Sequence, residues 1–263
     1  MVEPLYLRDL AWAVAALLQV IVLFFIFRQK LLRAHPAFSG YILATFLQSF
    51  LVGWVGRHWG VQSIQYFDIA WGMQAVVICA RWLAVMEIAR QILADYTGIW
   101  RLASSILFVL CLAVLIYALA LAQYRWTLMV LSADRAVELS IALFVVGMLI
   151  FARYYRLGMT DLERQLAIGF ALFSCSWVVS NSLFESSRNP SNAWWDFFQI
   201  VAFLATLIIW ANALRKPMYR ASREALAELP PEKLAQLSLQ ANTRLRELND
   251  RLNHLLHSKD SRT

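Results

Sequence analysis

The stretch Trp71–Ala89, WGMQAVVICARWLAVMEIA, decides how this chain is read. It has the length and apolar character of a helix that crosses a bilayer, yet it carries Arg81 close to its middle. A guanidinium at that depth costs a few kcal/mol even on lenient insertion scales. It persists only where it faces a partner, a water-filled cavity or a function, so Arg81 is expected to point into a helix bundle.

The rest of the chain supplies the bundle. With 60% hydrophobic residues, 16% charged residues and a mean hydropathy of +0.56, a soluble 263-residue protein would have more apolar surface than it could bury. A bilayer core about 30 Å thick needs roughly 20 apolar residues per helix. Seven segments meet that length: Leu10–Phe27, Phe38–Val55, Phe67–Ala89, Leu102–Leu121, Ala133–Ala152, Leu166–Leu183 and Trp194–Leu214. The fold class expected is all-α, a seven-transmembrane helix bundle over residues 1–216, followed by a cytoplasmic amphipathic tail over 217–263.

Loop charge predicts the orientation, because basic residues are retained on the cytoplasmic side. One set of connections holds Arg28, Lys30, Arg33, Arg90, Arg101, Arg153, Arg156 and Arg164. The other holds Arg8, Arg57, Arg125 and Arg188, with Arg135 as a fifth if the first turn of the fifth span is counted. This bias places the N-terminus outside and the C-terminus in the cytoplasm, with a bacterial inner membrane as the expected location. Trp54, Trp59, Trp100, Tyr124, Trp126, Trp194 and Trp195 lie near span ends and suit interfacial belts. The first span lacks a small-residue cleavage site and reads as a retained helix. The net charge of +7 reflects helix-flanking and tail residues and is read as orientation and contact with anionic lipid, not nucleic acid. Cys79, Cys111 and Cys175 fall inside spans and are expected to pack as small apolar groups.

Counting from helix ends locates a polar layer. Arg81 lies nine residues before Arg90, Gln19 nine before Arg28, and Gln48 nine before Arg57. Nine residues is roughly 14 Å, half the hydrocarbon thickness. Thr206 is nine before Arg215, and Ser174 and Ser176 lie at the middle of the sixth span. Gln74, seven residues before Arg81, shares its face. Glu87 is about 240° around the helix from Arg81 and is a poor partner for it. Glu138 on the fifth span is the better candidate. A second group, Asp134, Arg135, Glu138, Asn181, Glu185, Asp196 and Gln199, is expected toward the outside, with Asp134 and Glu138 forming a paired carboxylate mouth or merely an acidic N-terminal turn at the headgroup boundary. The candidate ligand-binding residues are therefore Arg81, Gln74, Gln19, Gln48, Glu138, Asp134, Asn181 and Thr206. The competing reading is that the amides and hydroxyls hydrogen-bond across helices as packing glue.

Several chemistries find no residues. His35, His58, His254 and His257 lie outside the spans, which leaves haem without axial ligands, and the seventh span has no lysine before Lys216 for a Schiff base. HExxH, CxxC, Walker, GxSxG and kinase motifs are absent, so no cofactor, metal or catalytic residue is assigned. Tyr66-Phe67-Asp68 and Trp194-Trp195-Asp196 open the third and seventh spans at an offset of 128 residues. That spacing hints at a 3+1+3 carrier arrangement.

After Pro217 the chain changes character. Met218–Leu229 is amphipathic, Pro230-Pro231 breaks it, and Leu234, Ser238, Ala241, Leu245, Leu248, Leu252 and Leu255 form a heptad seam. Residues 232–257 are expected to pair as a homodimer, dock a cytoplasmic partner, or lie back on the bundle or membrane. The runs Glu87-Ile88-Ala89-Arg90 and Ile208–Pro217, IIWANALRKP, with the closing Leu-Asn helix at 245–256, resemble a family of seven-helix integral membrane proteins found in acidobacterial genomes. The resemblance spans nearly the whole chain through mostly hydrophobic motifs. It implies topology and carries over no functional residue. The function expected is a non-enzymatic sensor or receptor-like module that binds a small ligand and signals through its tail, with a carrier for an anionic solute or a scaffold subunit as alternatives.

Overall fold

The computed structural model describes residues 4–60, 62–93, 96–122, 126–155, 157, 159–186 and 193–215, with single positions at 243, 247 and 250. Each long apolar segment folds into a helix: α1 (Pro4–Arg28), α3 (Pro36–Trp59), α4 (Ile64–Ile92), α5 (Thr97–Ala122), α6 (Trp126–Tyr154), α7 (Asp161–Ser186) and α8 (Ala193–Arg215). A four-residue helix, α2 (Leu31–Ala34), lies between α1 and α3. Seven helices are long and apolar enough to cross a membrane, and the described residues contain no strand. The described residues are all-helical or in short turns, and the chain is an integral membrane protein.

The helix ends follow from local chemistry. Ser63 caps α4 by accepting from the Tyr66 amide at 3.1 Å. Thr160 and Glu163 form a capping box on α7, the Thr160 amide donating to Glu163 Oε2 at 2.8 Å and the Glu163 amide to Thr160 Oγ1 at 3.2 Å. α3 starts with Pro36 at its first turn, and its free amides are claimed from another helix: Ala37 and Phe38 donate to the Glu87 carboxylate of α4 at 3.2 and 2.9 Å. The acid that is turned away from Arg81 thereby pins α3 to α4. α3 ends at Gly60, whose φ of +81° a side chain would strain.

Six helices close a ring in the order α1, α3, α4, α6, α7, α8, with α8 returning to α1, and α4 also touches α7 across it. α5 sits outside the ring against α6, with a lighter contact to α4. Large apolar side chains such as Leu17, Phe50, Phe108, Leu143 and Ile150 stand outward on the helices, the surface a lipid solvent requires. Cys79 joins that outer surface and Cys175 is half-buried, so the expectation that the three cysteines pack as small apolar groups holds only in part, and the Cys111 side chain lies outside the described residues. At the end of the bundle where α1, α4, α6 and α8 begin, here the N-face, His58 stacks on Trp54 and Trp59 meets both edge-on near the end of α3.

Toward the opposite face the ring is packed shut. Phe38 and Tyr41 of α3 meet Phe170 of α7 and Trp210 of α8, with ring centroids 5.0 to 6.2 Å apart and mostly edge-on. Trp210 passes so close to Gly169 that a Cβ there would lie 2.7 Å from its Cε2, and its indole donates to the Leu166 carbonyl at 3.3 Å. Gln29, just past α1, donates to the Leu214 carbonyl and satisfies an orphan acceptor at the end of α8. Of the tail, only Thr243, Glu247 and Asp250 are described, each helical. The Met218–Leu229 helix and the heptad seam over 232–257 lie outside the described residues.

Candidate functional site

The polar layer assembles around Arg81. α4 is helical for seventeen residues before it, so Arg81 sits well inside the helix, and 5% of it is exposed. Its Nη1 pairs with Oε1 of Glu138 on α6 and lies 4.0 Å from Oδ1 of Asp134, one turn earlier on the same helix. Glu138 is fully buried, and its other oxygen accepts from Ser174 of α7 at 2.6 Å. Asp134 Oδ1 accepts from Gln74 Nε2 at 3.0 Å, and Gln74 Oε1 accepts from Gln48 Nε2 of α3 at 2.7 Å. One connected chain of polar contacts thus runs from Gln48 to Ser174 and ties α3, α4, α6 and α7 together. The guanidinium also lies over two rings, Phe173 at 4.8 Å and Tyr41 at 5.5 Å. These cation–π contacts join the polar layer to the aromatic packing beneath it.

Above the layer, on the N-face side, the ring opens into a cleft of about 910 Å³. Its floor includes Gln48, Gln74 and Asp134, so the relay ends in accessible space. Trp12, Tyr66, Trp71 and Trp177 contribute to its walls. Arg57, in the last turn of α3, lies at its rim with its guanidinium 6.0 Å from the Trp12 ring. The volume falls within the range of ligand pockets, and the combination of mostly apolar walls with a few convergent polar groups is their usual composition.

Five of the expected residues, Arg81, Gln74, Gln48, Glu138 and Asp134, are brought into one cluster. Three are not. Gln19 is buried on α1 outside the chain of contacts, and its Oε1 has no hydrogen-bond partner among the described residues. Thr206 donates to Ala202 at 2.9 Å and reaches the Gly169 carbonyl at 3.4 Å, which makes it an α7–α8 packing contact. The Asn181 side chain lies outside the described residues, as do those of Glu185 and Asp196. The expectation that Asp134 opens its helix at the headgroup boundary is corrected: α6 begins at Trp126, two turns earlier, and Asp134 is 2% exposed. A helix-dipole role for it therefore falls away.

Sequence reasoning missed the aromatic members. Trp71, Gln74, Ile78 and Arg81 follow three- and four-residue steps, as do Phe170, Ser174 and Trp177, so both Trp71 and Trp177 were within reach of the same face-counting. Tyr41, seven residues before Gln48 on α3, was within the same reach, whereas Arg57 gave no such signal. Among the described residues no three His, Cys, Asp or Glu side chains converge as metal ligands.

On the opposite face a separate buried polar group, His35, lies in the turn between α2 and α3. Burial holds its imidazole below the ordinary value of 6.5 against the pull of the Glu87 and Glu163 carboxylates, and its Nδ1 has no partner among the described residues. The chain matches no protein-family model, no curated protein and no solved structure.

Proposed function

We propose that this protein is a sensor or receptor-like membrane module that takes a small polar ligand into the N-face cleft. The observation that carries the reading is the relay itself. Groups that a ligand can touch, Gln48, Gln74 and Asp134, are wired to a buried Arg81–Glu138 pair that joins α4 to α6 and, through Ser174, to α7. A ligand that competes for Asp134 changes what Arg81 faces. Arg81 in turn rests on Tyr41 and Phe173, beside the packed aromatic end of the bundle, so two arrangements of these helices could have different affinities for ligand. The loop-charge bias supports a cleft open to the outside and a cytoplasmic tail over 217–263 as the reporting segment, acting on a partner or a second copy through 232–257.

The carrier reading draws on one observation. The ring consists of two successive sets of three helices, α1, α3, α4 and α6, α7, α8, with α5 outside, and the α8–α1 contact is matched by the α4–α6 contact. An anionic cargo held by Arg81 fits less well, because Glu138 already occupies that guanidinium. The two readings part in proteoliposomes. A sensor binds the same stabilising solute, found by thermal shift, in the full chain and in a chain ending at Pro230, and takes up none of it. Saturable uptake that is abolished by Gln74→Leu would contradict the sensor and support the carrier.

A further inference from the structure

The directions of the hydrogen bonds at the cleft floor indicate what kind of ligand it takes. Asp134 Oδ1 accepts from the Gln74 amide nitrogen at 3.0 Å, which sets the orientation of that amide. That leaves the Gln74 carbonyl oxygen toward Gln48, which must answer with its own nitrogen, at 2.7 Å. Each amide orientation is fixed by the one below it. The Gln48 carbonyl oxygen is then left over at the cleft-lining end of the relay, on the same floor as Gln74 and the carboxylate of Asp134. The floor asks for a hydrogen-bond donor.

Charge points the same way. The Arg81 guanidinium is taken up by the Glu138 carboxylate, which leaves Asp134 as the surplus negative group of the cluster. Arg57 does not offset it at close range, since it stands nine residues, roughly 14 Å, along α3 from Gln48. Arg135 follows Asp134 on α6 and its charge acts on that carboxylate, but it lies roughly 100° around the helix and is not part of the cleft lining, so the negative face is the one the cleft sees. Trp12, Tyr66, Trp71 and Trp177 supply walls whose aromatic faces attract cations. The buried Trp177 indole N–H has no acceptor among the described residues, so the wall also offers one donor.

We infer that the cleft binds an organic ammonium: a protonated amine on an apolar or aromatic body, with an oxygen close to the nitrogen. The ammonium donates to Asp134 and to the Gln48 carbonyl, the body lies among the tryptophans, and the oxygen accepts from Trp177. This assignment rests on reading the cleft as a ligand site.

Three near-isosteric probes separate the two claims: 2-amino-1-phenylethanol as the cation, 1-phenyl-1,2-ethanediol as the neutral form and mandelate as the anion. Binding of each to the full chain in lipid nanodiscs is measured by calorimetry, alongside Asp134→Asn and Trp71→Ala variants whose thermal unfolding confirms that they are folded. The expected result is that the amine binds, at least tenfold more weakly in Asp134→Asn, while the diol and mandelate bind at least tenfold more weakly than the amine to the unaltered chain. Should mandelate or the diol bind as tightly as the amine, with loss in Trp71→Ala, the ammonium assignment falls and the ligand site stands. Amine binding that is unchanged in Asp134→Asn also overturns the assignment. If none of the probes shows binding sensitive to either substitution, the ligand-site reading falls with it.

Discussion

Removing the Glu138 charge tests the buried cluster quantitatively. Breaking a buried ion pair by deleting one partner costs about 3–5 kcal/mol, because the other charge is left stranded. Here Arg81 has a second carboxylate 4.0 Å away, in Asp134. Once Glu138→Gln frees the guanidinium, it can close on Asp134 to a charge-assisted contact of about 2.8 Å. At an effective dielectric constant of about 20, that movement recovers about 2 kcal/mol of Coulomb energy. Glu138→Gln alone should therefore cost about 2 kcal/mol, and Asp134→Asn alone about 1 kcal/mol, since the main pair remains. The double variant has no carboxylate to fall back on and should cost about 5 kcal/mol, an excess of about 2 over the sum. Arg81→Met with Glu138→Leu removes the main pair but strands the buried Asp134 carboxylate, and should cost about 3–5 kcal/mol. Equilibrium unfolding in mixed micelles measures all four. An Asp134–Glu138 coupling below about 0.5 kcal/mol would refute the shared guanidinium, as would an Arg81→Met/Glu138→Leu variant as stable as the unaltered chain.

Three further outcomes follow from other parts of the bundle. Gly169→Ala should force Trp210 from the aromatic packing and lower stability by about 1–3 kcal/mol, measured by thermal unfolding in detergent; a variant as stable as the parent would mean that Trp210 has room to move. Glu87→Gln should cost about 1 kcal/mol in the same assay by weakening the cap on α3, and an unchanged midpoint would show that the cap contributes nothing. His35 gives a pH dependence: its pKa is lowered in the folded state, so below about 6.5 the unfolded chain binds a proton that the folded chain refuses, and stability falls as pH falls, by at most about 1.4 kcal/mol per unit. His35→Gln should flatten the decline of the unfolding midpoint between pH 7.5 and 5.5, and an identical slope in both proteins would remove His35 as its source.

The sequence made the architecture readable because the bilayer imposes one length on every span and penalises every stranded polar group. Counting nine residues from Arg90 placed Arg81 at mid-depth, and the same arithmetic set Gln48 beside it. Glu138 was reachable as the partner because Glu87 pointed the wrong way round α4. The start of α6 was less legible. Trp126–Ser132 is apolar enough to extend the helix, but the first charged pair, Asp134-Arg135, looks like a boundary, and only tertiary packing buries a carboxylate two turns inside a helix. Gln19 and Thr206 show the limit of depth as a criterion: residues at one level share a plane, but which of them face the same space depends on how each helix is rotated. The aromatic wall was overlooked because the depth count followed polar residues alone, although Trp71 and Trp177 share faces with Gln74 and Ser174.

Accessibility at Gln74 tests most directly whether water and solutes reach the relay. In nanodiscs that expose both faces, with Cys79, Cys111 and Cys175 replaced by alanine, the thiol introduced by Gln74→Cys should react with charged methanethiosulfonates. It should react faster with the cationic reagent than with the anionic one, because Asp134 shares the floor. The thiol from Val76→Cys, on the outward surface of the same helix, should stay inert in lipid. A position 74 thiol as unreactive as that at position 76, or one that prefers the anionic reagent, would contradict an acidic cleft floor within the bundle.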